Sequence, residues 1–326
     1  MSKQNVCHST LKTGYETFCP AAKKNFLGGK KVSYILPYET LSSKTTETSG
    51  RGHLSLSGAQ IKYSAVIDNG EFKLSEPGEQ GTYILKPILS DWDNREYIPA
   101  NENLTMQIAS QVYGIQTAEN AVCFTKNGEQ FYVTKRYDVN PDGTKIQQED
   151  FASLAGITKE NSGDGYKYNA VNYVDIASII KKFIPAWRIE LIKYYELMLF
   201  NFVFANGDAH IKNFSVLQTK QGDYKLAPAY DLINSSIHIY SDSIFALRKG
   251  LYPGWNREMG ADGKDFIKFG ELIGLDKETI ITKIEKFCTI YDKAEELIEN
   301  SVLSDKLKKE YRIQYHTRIN SFLKIY

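Results

Sequence analysis

Residues 206–217 read NGDAHIKNFSVL. They follow directly on the apolar run LMLFNFVFA (197–205), so a loop leaves the end of a buried helix carrying Asp208 and, five positions on, Asn213. Asp-x4-Asn is the spacing of a phosphoryl-transfer catalytic loop, in which the carboxylate orients an acceptor hydroxyl and takes its proton while the amide oxygen binds Mg²⁺. A loop between them is needed because the two groups face different atoms, the nucleophile and the metal. At ordinary residue usage such a pair arises about once by chance in a chain this long. The alternative is a polar loop whose Asp and Asn cap nearby backbone groups, and the surrounding sequence has to decide.

Eighteen residues beyond Asn213, APAYDLINS (227–235) places Asp231 just after the strand-like YKLAP. Strand, loop and strand would bring Asn213 and Asp231 to one end of a hairpin. Hard oxygen donors there, completed by phosphate oxygens and water, are what Mg²⁺ requires. Taken alone, Asp231 would read as a turn carboxylate.

Upstream the pattern is β-like from about 53 to 138. HLSLS, KYSAVI, TYILKPIL and QFYVTKRY are short, β-branched and aromatic, and separated by turns such as DNGEF and KNGEQ. One helix is expected among them at 102–114, ENLTMQIASQVYG, ending in Gly114. Residues 1–50, polar and Ser/Thr/Lys-rich, read as a loosely structured lead-in. After about 145 the period turns helical in EDFASLAGI (149–157), NYVDIASIIKKFI (172–184), AWRIELIKYYELMLFNFVFA (186–205) and the tail. The fold class expected is α+β, a two-lobed protein-kinase-like fold with a β-rich N-lobe (1–140), an all-helical C-lobe (141–326) and a cleft between them.

The front half offers further chemistry. HLSLSGAQIKYSAVI (53–67) is strand, small-residue turn and strand. Backbone N–H groups at Ser57-Gly58-Ala59 could approach phosphates there, with Lys62 adding charge; a plain β-hairpin is the alternative. Lys86, alone on the apolar strand YILKPIL, is either an edge charge with a wet tip or the strand lysine that holds ATP phosphates, paired with Glu102 at the start of the helix. YVTKRYD (132–138) ends the β region, where a connecting segment at Lys135 and Tyr137 could bind an adenine edge through its backbone. His210 reads as a structural hydrogen-bonder, with no second His or Cys spaced for a metal.

Composition narrows the classes. A net charge of +1 over 326 residues argues against a surface dedicated to nucleic acid. Cys7, Cys19, Cys123 and Cys288 form no CxxC pair and read as reduced thiols. The opening MSKQNVCHST lacks a signal-peptide core, and the most apolar run is broken by Asn201, so no membrane association and a cytoplasmic location are expected.

In order, SLSGAQIK, YILKP, NENLTM, YVTKRYD, QQEDF, NGDAHIKNFS and APAYDL resemble the HipA-like serine/threonine kinases, toxins of bacterial toxin–antitoxin modules, from about Ser55 to Ile233. The resemblance implies a kinase using ATP and Mg²⁺, with Asp208 catalytic and Asn213 and Asp231 as metal ligands. It implies that ATP is bound by Ser57, Gly58, Ala59, Gln60, Ile61 and Lys62 of the phosphate loop and by Lys86. Lys135, Arg136 and Tyr137 of the connector would join them, with His210, Ile211, Lys212, Asn213, Tyr230 and Asp231. Ser55 matches the serine that such kinases autophosphorylate, with Ser57 a second candidate. The partners implied are a protein substrate, aminoacyl-tRNA synthetases being among those of the family, and a HipB-like antitoxin. Only some fifty residues precede the loop, so the chain resembles the family's short form, whose N-terminal subdomain is a separate small protein. Two other readings stay open: a small-molecule or lipid kinase, and a catalytically inactive antitoxin-binding module.

Overall fold

The computed structural model describes residues 5–40, 62–88, 92–240, 242–256 and 260–322. They form two compact units, one of residues 1–112, 117–145 and 293–308, the other of 113–116, 146–292 and 309–326.

In the first unit, after the short helix α1 (Pro20–Asn25), strands β1 (Tyr63–Asp68), β2 (Glu71–Leu74) and β3 (Tyr83–Lys86) precede helix α2 (Ile98–Gln111). Strands β4 (Asn120–Phe124) and β5 (Gln130–Lys135) follow, and the five strands make one antiparallel sheet in the order β2-β1-β3-β5-β4. The β1–β2 turn is made by Asn69 and Gly70, both at positive φ (49° and 78°). That is the turn an Asn-Gly pair favours between twisted strands.

Side chains alternate across a strand, so Ala65, Phe72, Tyr83, Leu85, Ala121, Cys123, Phe131 and Val133 share one buried face. Residues 5–40 cover it, and this corrects the expectation of a loose lead-in. Phe18, Cys19, Ala22, Phe26 and Leu36 belong to the same core cluster. The segment also shields edge strand β4, with Leu36 N–H donating to Phe124 O (2.7 Å) and Phe124 N–H to Tyr34 O (2.9 Å). An apolar sheet face must be buried against something, and here the cover is an irregular chain with no helical or strand period to announce it.

Helix α2 packs against β4 and β5. It begins four residues before the expected start, because Pro99 sits in its first turn, where a proline needs no N–H partner. Glu102 therefore stands in the second turn instead of opening the helix.

The second unit starts with β6 (Gln148–Asp150) and three single-turn helices, α3 (Phe151–Leu154), α4 (Lys159–Ser162) and α5 (Tyr166–Asn169). EDFASLAGI thus supplies one helical turn, since Gln148–Asp150 pair with β7 (Ser215–Gln218) and Asp150 caps α3. Helix α6 (Tyr173–Phe183) opens on a capping box between Asn172 and Asp175, and α7 (Trp187–Val203) runs through the unit's core. The hairpin expected after the loop is β7 and β8 (Tyr224–Leu226), widened by β6 into a three-stranded sheet in the order β6-β7-β8.

Helices α8 (Gly263–Leu272) and α9 (Lys277–Phe287) follow. The long period of 277–300 breaks at 288–291, where the Tyr291 hydroxyl takes the Lys286 carbonyl (3.0 Å). Helix α10 (Asp292–Asn300) contributes to the first unit from residue 293, and α11 (Asp305–Phe322) closes the described chain. No helix of the described residues is long and apolar enough to cross a membrane.

Candidate active site

The Asp208 loop is set by the way α7 ends. Asn206 N–H donates to Asn201 O (2.8 Å) and Ala205 N–H to Phe202 O (3.1 Å), with Ala205 at φ 49°. That bond pair is a Schellman stop, in which the residue past the cap turns left-handed. Gly207 N–H then donates to Ser235 Oγ (2.7 Å), whose hydroxyl donates to the Asp242 carboxylate. A Cβ on Gly207 would lie 2.5 Å from the Ser243 carbonyl, so this position accepts glycine alone.

The loop closes on itself through His210 N–H to Asp208 O (2.7 Å), Asn213 N–H to His210 O (2.8 Å) and Asn213 Nδ2 to Asp208 O (3.0 Å). With its nitrogen spent on the loop, Asn213 has its amide oxygen left to offer a cation. Phe214, next along, is buried among the rings of Phe151, Tyr173 and Tyr194.

Asp231 stands at φ 56°, a left-handed conformation that Asp and Asn tolerate better than other residues with a Cβ. Tyr230, immediately before it, donates its hydroxyl to Lys212 O (2.9 Å) and meets the Ser215 hydroxyl. The chain entering β7 and the chain leaving β8 are thereby joined. Asn213 and Asp231 sit at the same end of the hairpin.

Burial, with the negative charges of Asp231 and Asp242 adding to it, raises the Asp208 carboxyl to about 6, while the Tyr168 hydrogen bond and the Lys167 charge act the other way. Burial and Lys167 lower His210 to about 4, so its ring is neutral at pH 7. His210 Nδ1 is buried with no hydrogen-bond partner among the described residues. Ile211 is fully buried, and Lys212 pairs with Asp150 at 3.0 Å.

In the first unit, Lys86 Nζ lies 2.6 Å from Glu102 Oε1, with both side chains about 5% exposed. Lys86 and Tyr132 are register partners on the sheet face opposite the covered one, and the ammonium sits 5.0 Å from the Tyr132 ring centroid. Lys62 is half-buried just ahead of β1. At the connector, Lys135 N–H donates to Glu119 O (2.8 Å) and Arg136 N–H to Thr82 O (2.9 Å), so both amides are spent within the unit. Lys135 Nζ reaches Asn25 O (2.7 Å), and Arg136 grips Asp138. Ser55, Ser57, Gly58, Ala59, Gln60 and Ile61 lie outside the described residues.

The donors fit a hard dication. Asn213 offers an amide oxygen and Asp231 a carboxylate, and among the described residues no three His, Cys, Asp or Glu side chains are grouped to hold a metal. A cation here would take its remaining oxygens from elsewhere, as Mg²⁺ does when it binds through one or two protein oxygens and a nucleotide's phosphates. Sequence reasoning missed Tyr168, Ser235 and Asp242, none of which stands at a motif spacing from Asp208.

A strand-rich unit with a buried Lys–Glu pair and a helical unit with an Asp-x4-Asn loop make up the two halves of a kinase-like fold. Residues 54–295 match the HipA-like C-terminal domain family, and the chain belongs to that family. Among its relatives is a Haemophilus influenzae protein named a putative kinase, 28% identical over 300 residues, which are 85% of either chain. Another, the putative kinase Y4mE of Sinorhizobium fredii, is 33% identical over 217 residues, 64% of this chain and 49% of that one, so the match spans about half of its length. Two solved structures share the fold. HipA of Shewanella oneidensis MR-1, from a complex with HipB and operator DNA, has a TM-score of 0.68 at 18% identity over 89% of this chain and 74% of that one. The Helicobacter pylori proinflammatory kinase CtkA has a TM-score of 0.52 at 15% identity over 84% and 94%.

Proposed function

We propose that this chain is a serine/threonine protein kinase of the HipA type, using ATP with Mg²⁺ and acting on a protein of the translation apparatus. The observation that carries this reading is the Asp208 loop, whose backbone closure and Tyr230 tie bring a carboxylate, an amide oxygen and a second carboxylate into one turn-and-hairpin element. In the reaction, the acceptor hydroxyl oxygen attacks the γ-phosphorus and the bond to the β–γ bridging oxygen breaks. ADP leaves, and the hydroxyl proton passes to Asp208. Asn213, through Oδ1, and Asp231 would hold the metal, which when bound supplies positive charge to the phosphate oxygens.

Lys86 is the lysine that takes the phosphates in this scheme, with Glu102 holding its ammonium. Residues 135–137 would bind adenine through atoms other than the amides of Lys135 and Arg136. Ser55 or Ser57 is the proposed autophosphorylation site. A phosphate bringing about −1.5 to −2 charge would compete there with ATP for the same donors. By analogy with the S. oneidensis complex, a HipB-like antitoxin is the proposed partner.

The test is incubation of purified protein with γ-labelled ATP and Mg²⁺, beside an Asp208→Gln variant. Label on protein supports the reading. Label on added lipid or small molecules in its place would make the chain a different kinase, and no transfer at all would leave an antitoxin-binding module. Mass spectrometry should find phosphate on Ser55 or Ser57 in the active form alone.

A further inference from the structure

Residues 158–170, TKENSGDGYKYNA, are polar and glycine-rich, yet the structure holds their second half firmly. Tyr168 N–H donates to Gly165 O (2.9 Å), Tyr168 O accepts Arg248 N–H (2.9 Å), and Lys249 Nζ reaches Ala170 O (2.6 Å). A Cβ at Gly165 would lie 2.4 Å from Asn169 Nδ2, so the glycine leaves room for that side chain against the turn. So fixed, the Tyr168 ring meets the His210 ring edge-on (5.1 Å, 72°), and its hydroxyl donates to Asp208 Oδ1 at 2.9 Å. The other bonds at Asp208 run to its backbone. Among the described residues, Tyr168 is the one group hydrogen-bonded to the Asp208 carboxylate.

We infer that Tyr168 is a positioning residue for phosphoryl transfer, its hydroxyl fixing one oxygen of the Asp208 carboxylate so that the other faces the acceptor hydroxyl. The inference rests on reading Asp208 as the acceptor-orienting carboxylate. The bland account is a half-buried phenol that takes the nearest acceptor, as tyrosines do. The converse dependence separates the two. The phenol's backbone is held by bonds of its own, whereas among the described residues this is the one hydrogen bond that sets the carboxylate's torsions. An acceptor hydroxyl must find the carboxylate oxygen within hydrogen-bond reach and correctly aimed, so freedom at that torsion costs rate and leaves nucleotide binding alone.

The experiment compares wild type, Tyr168→Phe and Asp208→Gln for label transfer from γ-labelled ATP with Mg²⁺, to the protein itself and to dephosphorylated casein. Tyr168→Phe keeps the ring and its packing. Its kcat should fall about 10- to 100-fold, the usual cost of losing an orienting partner, with KM for ATP within about twofold and a melting temperature lowered by no more than the loss of one hydrogen bond accounts for. Fluorotyrosine incorporated at 168, which keeps the hydroxyl, should restore most of the rate. A Tyr168→Phe rate equal to wild type overturns the inference. A higher rate does so too, since the phenol would then be occupying the acceptor's place, and so does a joint loss of kcat, ATP binding and stability. If Asp208→Gln transfers as well as wild type, or wild type transfers nothing, the kinase reading itself falls.

Discussion

The Tyr230 hydroxyl lies 2.9 Å from the Lys212 carbonyl, so the residue before Asp231 is bonded to the residue before Asn213. Two oxygen donors separated by a whole hairpin are kept in register by a contact one residue away from each. Tyr230→Phe removes the hydroxyl, leaving the Lys212 carbonyl without this donor and the Ser215 hydroxyl without this acceptor. A loss of about 1–2 kcal/mol is expected in denaturant unfolding, together with a raised Mg²⁺ requirement for label transfer.

Asp231→Asn tests charge without disturbing the backbone, because Asn also accepts the left-handed conformation seen at φ 56°. Phosphoryl transfer should vanish while the circular dichroism and melting temperature stay put. ATP affinity measured by calorimetry should lose most of its dependence on Mg²⁺. Wild-type turnover in this variant would remove Asp231 from the metal site.

Glu102→Ala would leave the Lys86 ammonium buried beside Tyr132 with its carboxylate partner gone. Breaking one side of a buried pair costs about 3–5 kcal/mol, while replacing both by apolar residues is often neutral. Glu102→Ala should therefore melt well below wild type. The double variant Lys86→Met, Glu102→Leu should recover most of that stability and none of the label transfer.

His8 gives a pH dependence whose sign follows from its surroundings. Its ring stacks on Tyr34 at 4.0 Å and meets Phe124 edge-on, and burial lowers its pKa to about 4. The folded state holds the imidazole neutral, so its stabilising contribution is complete above pH 6.5 and is lost as pH falls towards 4. For a half-buried ring the loss is about 1–2 kcal/mol. His8→Phe should flatten the stability profile over that window. Asp208, raised to about 6, works in the opposite sense: its carboxyl favours the folded state below pH 3.8 and ceases to as pH rises through 6.

The elements that could be read from the chain are those whose own residues carry the signal. Asn69-Gly70 specifies its hairpin, Asn172 and Asp175 cap α6, and Lys86 stands out as a lone charge on the apolar strand YILKPIL. The parts that could not be read depend on distant partners. Cys7, Phe18, Phe26 and Leu36 are buried, yet their spacing fits neither strand nor helix, and the sheet face they cover explains them. Gln148–Asp150 are a strand because β7 lies beside them. Tyr168 reaches Asp208 across forty positions of sequence, through a turn held by residues 248–249. Pro99, easily taken for a breaker, instead sits in the first turn of α2.

Helix α10 buries Ala294, Leu297 and Ile298 and donates from Asn300 Nδ2 to Leu11 O at 3.1 Å, within a unit that takes residues 293–308 and draws all the rest of its chain from before 146. On the ribosome, the sheet-bearing unit must therefore wait for its last segment. At about 5–20 residues per second, the stretch from 145 to 308 emerges roughly 10–30 s later. Through that interval the nascent sheet is missing a piece of its own unit. A frameshift or stop codon anywhere before residue 293 would deprive both units at once, so a prematurely ended chain would be a substrate for proteases and would not persist as a free-standing sheet domain.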